Sequence, residues 1–267
     1  MPAPPSDFRD CPREVLRRVR GVLTDIDDTL TEEGVIRPPT LRALSDLHDA
    51  GIPVIAITGR PLGWSIPLAR DTALSAVVAE NGAVALFRDA QGTLLTEYAQ
   101  DESTRLHNAH RLREVGARIL REVPGATLAR DSAARVTDIA VDHDEFARLD
   151  DARIAQVVAL MREEGMSATV SSIHVNGWFG EHDKLSGARW IVQRLLGRDI
   201  DGERAHWVYV GDSTNDQRLF AHFDLSVGVA NLRRFALQLQ VWPAWITQGE
   251  RGAGFVEVAR ALLASCL

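Results

Sequence analysis

The chain has 267 residues, 45% of them hydrophobic and 25% charged, and carries a formal net charge of −7. That length suits one large domain or two modest ones, with enough material to bury a real core. The acidic balance gives no electrostatic reason for a nucleic-acid partner, and no apolar run approaches the length of a membrane span.

In chain order, residues 1–17 read as a loose leader, without the apolar core of a secretory signal. From residue 18, short Val- and Ile-rich runs recur: "VRGVLT", "GIPVIAIT", "SAVVAE", "HWVYVG" and "LSVGV". They mostly lack period-two alternation, as expected of strands in a parallel sheet covered on both faces. Helical patterns such as "TLRALSDLHDA" and "DKLSGARWIVQRLLG" lie between them. This alternation predicts a doubly wound, parallel-sheet α/β domain.

The middle of the chain reads differently. A hairpin over "AVALFRDAQGTLLTEYA" is followed by a helix from about Ser103 to Val123. Next come "GATLAR" and "ARVTDIAVD", a helix from about Phe146 to Glu164, and "SATVSSIHV". Strand pairs alternating with helices predict an inserted α+β cap over residues 88–180, splitting the core into 18–87 and 181–267. Cys11 and Cys266 lie near opposite ends without a ligand-like spacing, and read as free thiols of a cytoplasmic protein.

In open parallel sheets, ligands bind beyond the carboxyl ends of the strands. Four such ends are polar here. They carry Asp25-Ile26-Asp27-Asp28-Thr29, Thr58-Gly59-Arg60-Pro61, Glu80-Asn81-Gly82-Ala83, and Gly211-Asp212-Ser213-Thr214-Asn215-Asp216. Clustered carboxylates resist ionising together. A divalent cation relieves that repulsion, and a hard ion such as Mg²⁺ takes oxygen ligands including substrate phosphate. Spacing of two puts Asp25 and Asp27 on one side of an extended segment. Thr58 offers a hydroxyl and Gly59 an open backbone N–H. Lys184, the only lysine in the chain, opens a helix at the predicted return to the core. An ammonium is a compact point charge where a guanidinium is a planar fork, so its use here suggests a geometric need.

The ordered set DxDxT, hydrophobic-Thr-Gly-Arg, lone Lys and Gly-Asp-x-x-Asn-Asp resembles the haloacid dehalogenase-like (HAD) phosphohydrolases. The insert placed after "ENGA" is similar to the type IIB cap group, which includes Cof-type, sucrose-phosphate and mannosyl-phosphoglycerate phosphatases and the phosphomannomutases. The resemblance implies a Rossmann-like core and a Mg²⁺-dependent phosphatase of a small phosphorylated metabolite, a sugar or polyol phosphate. It implies that Asp25 is the nucleophile and Asp27 the acid and base. Thr58 and Lys184 would then bind the transferring phosphoryl group, with Gly59, Arg60, Asn81 and Asn215 on the substrate. Asp25, Asp27 and Asp212 would hold the ion, with Asp216 touching it or its ligands. Asp28 departs from the glycine often found at its position. A phosphomutase of the phosphomannomutase type remains open on these motifs, as does a non-catalytic, metal-dependent sugar-phosphate-binding module. The oligomeric state has no signal in the sequence.

Weaker features favour ordinary structural roles. His107 and His110 suit a solvated helix face better than a metal site. His143, in "VDHDEF", reads as part of a capped helix start. Trp178, with His174, Asn176 and Glu181, is the candidate substrate side of the cap.

Overall fold

The computed structural model describes residues 4–266. Its larger sheet has nine strands among these residues, in the order Ser6–Asp7, Trp245–Ile246, Leu225–Gly228, Trp207–Gly211, Gly21–Thr24, Val54–Ile57, Ala76–Ala79, Val84–Arg88 and Leu94–Tyr98. The first seven run parallel, Val84–Arg88 runs antiparallel to them, and Leu94–Tyr98 is in turn antiparallel to Val84–Arg88. The central strands are buried along their whole length. Successive residues nevertheless serve opposite cores: Val22, Val54 and Val208 pack on one face with Leu44 and Phe255. Leu23, Ile55 and Tyr209 pack on the other with Ile191 and Phe220. Helices on both faces are why these strands read as continuous apolar runs.

The smaller sheet is antiparallel, in the order Ser167–Val170, His174–Trp178, Asp138–Asp142, Thr127–Leu128. Helices Glu102–Glu122 and Asp151–Glu163 cover one of its faces, where Val141, Val175, Ile119, Val157 and Met161 form a third apolar cluster. The alternate positions Asp138, Asp142, His174 and Asn176 are also buried, without belonging to that cluster. Strand pleating turns them to the opposite face, toward the larger sheet. The long helix starts where Asp101 accepts from the Thr104 amide at 2.9 Å.

Three boundaries differ from the sequence reading. Residues expected to form a loose leader pack on the core: Ser6–Asp7 pairs with Trp245–Ile246, and Phe8 and Leu16 are buried in the first cluster. Leu94–Tyr98, placed by sequence in the cap, pairs with Val84–Arg88 and extends the larger sheet. The apolar strand Val84–Phe87 is buried against Ala76–Ala79, so its hairpin partner follows it onto the same sheet. The helix expected from Phe146 begins only at Asp151. Asp142 holds the intervening turn open by accepting from the amides of Glu145, Phe146 and Ala147. Cys11 and Cys266 are both free thiols, as expected.

Candidate active site

The polar strand ends converge. Lys184 is the first residue of helix Lys184–Leu196, which is fixed by a capping box: the Ser186 amide donates to Asp183 at 2.7 Å, and the Asp183 amide to the Ser186 hydroxyl at 2.8 Å. Gly82 in the "ENGA" turn has φ +108°, and a Cβ there would meet the Asp183 carbonyl at 2.1 Å. Glycine therefore lets this turn lie directly against the helix start. From that start the Lys184 ammonium reaches Asp25 Oδ1 at 2.6 Å, Asp216 Oδ1 at 2.8 Å and Asn215 Oδ1 at 3.3 Å. All three of its donors have partners, as a buried ammonium requires.

Asp216 folds back toward its own strand. A Cβ on Gly211 would meet Asp216 Oδ2 at 2.5 Å, so the glycine makes that return possible. Asp216 Oδ2 accepts from the amides of Asp212 and Ser213 at 3.0 and 3.2 Å. Asp216 Oδ1 accepts from the buried Tyr209 hydroxyl at 2.6 Å as well as from Lys184. Asp212 is fully buried and behaves differently. Its Oδ2 accepts from Asn231 Nδ2 at 2.9 Å and Arg234 Nη2 at 3.1 Å, while its Oδ1 is buried without a hydrogen-bond partner. Carboxylate oxygens of Asp25, Asp212 and Asp216 all lie within 4.8 Å of one another.

Burial pushes the Asp25 carboxyl up to about 7, opposed by the Lys184 ammonium and reinforced by the Asp216 and Asp27 carboxylates. Burial, then Asp25 and Asp216, raises Asp212 well above the ordinary carboxylate range. The desolvated charges of Asp216 and Asp25 outweigh burial at Lys184 and raise its pKa. An orphaned, buried carboxylate oxygen beside two more acids is a donor set for a hard divalent cation, whose charge would offset the repulsion that raises these values.

Asp27 sits on the side facing the smaller sheet. Both its oxygens accept from Arg60 Nε at 3.0 Å. Arg60 Nη2 also reaches Glu145 Oε1 at 2.9 Å, and His174 Nε2 lies 2.9 Å from Glu145 Oε2. The enclosed space beside Asp25 and Asp27 is closed over by Ser171, Ser172, His174 and Asn176 and leaves only about 10 Å³ free. Thr58 is fully buried, and its hydroxyl accepts from the Arg60 amide at 3.0 Å. Asn81, at φ 56°, donates to Asp138 Oδ2 at 3.4 Å. Asp28 has a φ of 56°, the left-handed region that favours glycine, and ion pairs with Arg234 and Arg251 hold its carboxylate.

Of the residues singled out by sequence, Asp25, Asp27, Gly59, Arg60 and Asn215 line the enclosed space. Lys184, Asn81 and Asn215 line a second cleft of about 390 Å³, together with Trp178 and Glu181. His107 and His110 are exposed on the long helix, far from any acid cluster of this kind. Tyr209, Asn231, Arg234, Glu145 and Asp138 were not singled out. Tyr209 left a signal, since a phenol inside a buried aliphatic strand needs a hydrogen-bond partner. Asn231 and Arg234 follow the recognised strand "LSVGV", whose polar end was passed over.

Residues 22–122 match the family model of the haloacid dehalogenase-like hydrolases. No curated protein matches the chain. Among solved structures, the fold is similar to that of a Thermoplasma acidophilum protein at 14% identity and a TM-score of 0.68, covering 91% of this chain and 98% of that one. It is similar to the sucrose-phosphatase of Synechocystis, solved with sucrose and phosphate, at 16% identity and a TM-score of 0.64, covering 92% and 98%. A HAD/COF-like hydrolase from Plasmodium vivax shares 15% identity at a TM-score of 0.63, over 95% and 98%. Over residues 22–122 the chain is thus similar to the haloacid dehalogenase-like hydrolases, and its fold as a whole is similar to those of the sucrose-phosphatase and the HAD/COF-like hydrolase.

Proposed function

We propose that the chain is a Mg²⁺-dependent phosphatase acting on a small phosphorylated metabolite, a sugar or polyol phosphate. One observation carries this reading: the buried Asp25 carboxylate meets the sole lysine at 2.6 Å, beside an Asp212 oxygen that has no partner in the protein. In the proposed reaction an Asp25 oxygen attacks phosphorus and the bond to the leaving oxygen breaks. Asp27 gives its proton to that oxygen. Asp27 then takes a proton from a water molecule that attacks the aspartyl phosphate, releasing phosphate and restoring Asp25. Dividing the displacement in this way is covalent catalysis, and each half needs alignment and charge neutralisation more than anything else.

Lys184 and Thr58 are assigned to the phosphoryl oxygens. Arg60 orients Asp27 by gripping both of its oxygens. The Asp25 and Asp212 carboxylates and the Asp27 backbone carbonyl are the assigned holders of Mg²⁺, which when bound would neutralise the developing phosphoryl charge. Each Asp216 oxygen already accepts two hydrogen bonds, so we assign this residue to holding Lys184 and the 211–213 turn.

Among the described residues no helix is long and apolar enough to cross a membrane. The test is phosphate release from a panel of sugar, polyol, glycerate and glycolate phosphates with and without Mg²⁺. Release that depends on the ion, and its loss in Asp25→Asn with an unchanged circular dichroism spectrum, is the expected result. An Asp25→Asn protein as active as the parent would remove Asp25 from its role. No release from any ester would defeat the reading.

A further inference from the structure

We propose that Glu145 selects the leaving group, and that it selects against leaving groups bearing a carboxylate; this rests on the phosphatase reading. The leaving oxygen must lie at Asp27, since Asp27 gives it a proton. The cation touching Asp27 is Arg60, 7% exposed, and carboxylates surround it. Its Nε and Nη2 hold Asp27, Nη2 also holds Glu145 at 2.9 Å, and Nη1 lies 3.5 Å from Asp131.

Behind it, Arg135 is engaged by Asp131 at 3.1 Å and Asp138 at 2.8 Å. Four carboxyl groups thus share two guanidinium groups; with Asp27 carrying the proton it donates, the remaining three carboxylates exceed the guanidinium charges by one with His174 neutral and balance them with it protonated. A carboxylate on the leaving group would enter this field with Arg60 and Arg135 both already paired, and like-charge juxtaposition is an efficient means of rejection. Hydroxyl groups would meet a different surface. The closing side presents the uncharged polar residues Ser171, Ser172 and Asn176, into which a hydroxyl brings no like charge.

Glu145 is the member best placed to set this balance. It belongs to the cap, and Asp142 fixes its backbone through the Glu145 amide at 2.9 Å. It touches Arg60 on one oxygen and His174 on the other. Glu145→Gln keeps an acceptor for Arg60 while releasing one positive charge toward a substrate carboxylate. The larger cleft beyond Lys184 has Arg218 at its margin, but neither Asp25 nor Asp27 lines it, so the leaving oxygen does not belong there.

The test uses two matched ester pairs: glucitol 6-phosphate against 6-phosphogluconate, and glycerol 3-phosphate against 3-phosphoglycerate. Each is assayed for kcat/KM with Mg²⁺, and p-nitrophenyl phosphate serves as an independent reporter of phosphatase chemistry. The carboxylate-free member should be favoured by about a hundredfold in the parent, and Glu145→Gln should shrink that ratio about tenfold. If Glu145→Gln does not fold, Asp131→Asn carries the same test with a smaller shift in the same direction. A parent ratio near one, or a ratio unmoved by the variant, would overturn the proposal while p-nitrophenyl phosphate turnover leaves the phosphatase reading standing. Turnover of the reporter with neither carboxylate-free ester hydrolysed would also overturn it. No turnover of any ester, reporter included, would defeat the phosphatase reading and the proposal together.

Discussion

The two sheets of this protein place their polar residues in different ways. In the larger sheet the central strands are buried along their length, and the charged side chains of the site gather just past the strand ends at Asp25, Arg60 and Asp212. In the smaller sheet the polar residues lie on a face, with Asp138, Asp142, His174 and Asn176 opposite the apolar cluster. A sheet covered by helices on both sides has room for chemistry only at its edge. A sheet covered on one side can offer a whole surface to a ligand held between domains. Under the proposed function, the larger sheet would carry the reaction and the smaller one the choice among substrates.

Breaking the strand-end cluster should have the largest effect. Lys184 is 5% exposed and its ammonium serves both Asp25 and Asp216. Lys184→Met leaves two buried carboxylates without their counter-ion, and about 3–5 kcal/mol of stability should be lost in denaturant unfolding, with turnover abolished. Full stability in that variant would mean that the ion pair is unimportant to the fold.

The join between the sheets comes next. Glu80, fully buried at the end of Ala76–Ala79, accepts from the amides of Leu62, Val136 and Thr137 at 3.0, 3.0 and 2.6 Å. Glu80→Ala orphans these donors and should cost about 1–3 kcal/mol, with faster amide exchange at Val136 and Thr137 than in the parent. Unchanged exchange there would show that the cap is anchored elsewhere.

Metal binding should sharpen the electrostatic side of the comparison. Burial lifts the Asp25 carboxyl to about 7, so its folded pKa lies above the ordinary value and it holds a proton below that pH. Mg²⁺ needs the ionised form, and its affinity should fall up to about tenfold for each pH unit below 7, with a proton released on binding. Calorimetry in buffers of different ionisation enthalpy measures that release directly. Binding that is indifferent to pH would place the ion away from Asp25.

The smallest effect belongs to the cap clasp. Burial works to raise the Glu145 carboxyl, but the His174 bond and the Arg60 guanidinium outweigh it and hold the group at about 2, below its ordinary 4.5. A depressed carboxyl contributes stability that is complete above about pH 4.5 and disappears as pH falls toward 2. The difference in unfolding free energy between the parent and Glu145→Gln should therefore close as pH falls below 4.5. A difference that widened on acidification would reverse the assignment.

How far the sequence could be read depended on how local each signal was. Asp25, Asp27, Asp212 and Lys184 were legible because each sits at the end of an element with its own pattern. Asp28 was legible as an oddity, and the structure supplies its context: a left-handed backbone held by Arg234 and Arg251, which come from far along the chain. The leader was misread because Ser6–Asp7 is too short to show a strand pattern and is ordered by pairing with Trp245–Ile246. Leu94–Tyr98 was misplaced because its own hydropathy does not say which sheet it will extend.

From the sequence alone came the doubly wound core, the differently patterned middle of strands and helices, and the order of the polar strand ends. Periodicity and spacing belong to short stretches of chain and survive without knowledge of the rest. Tertiary structure alone decided that Arg60 faces Glu145, that Tyr209 supports Asp216, and that Asp212 keeps one oxygen without a partner. Each of these depends on side-chain packing or on domains docking, and no local pattern encodes which distant charge a buried group will meet.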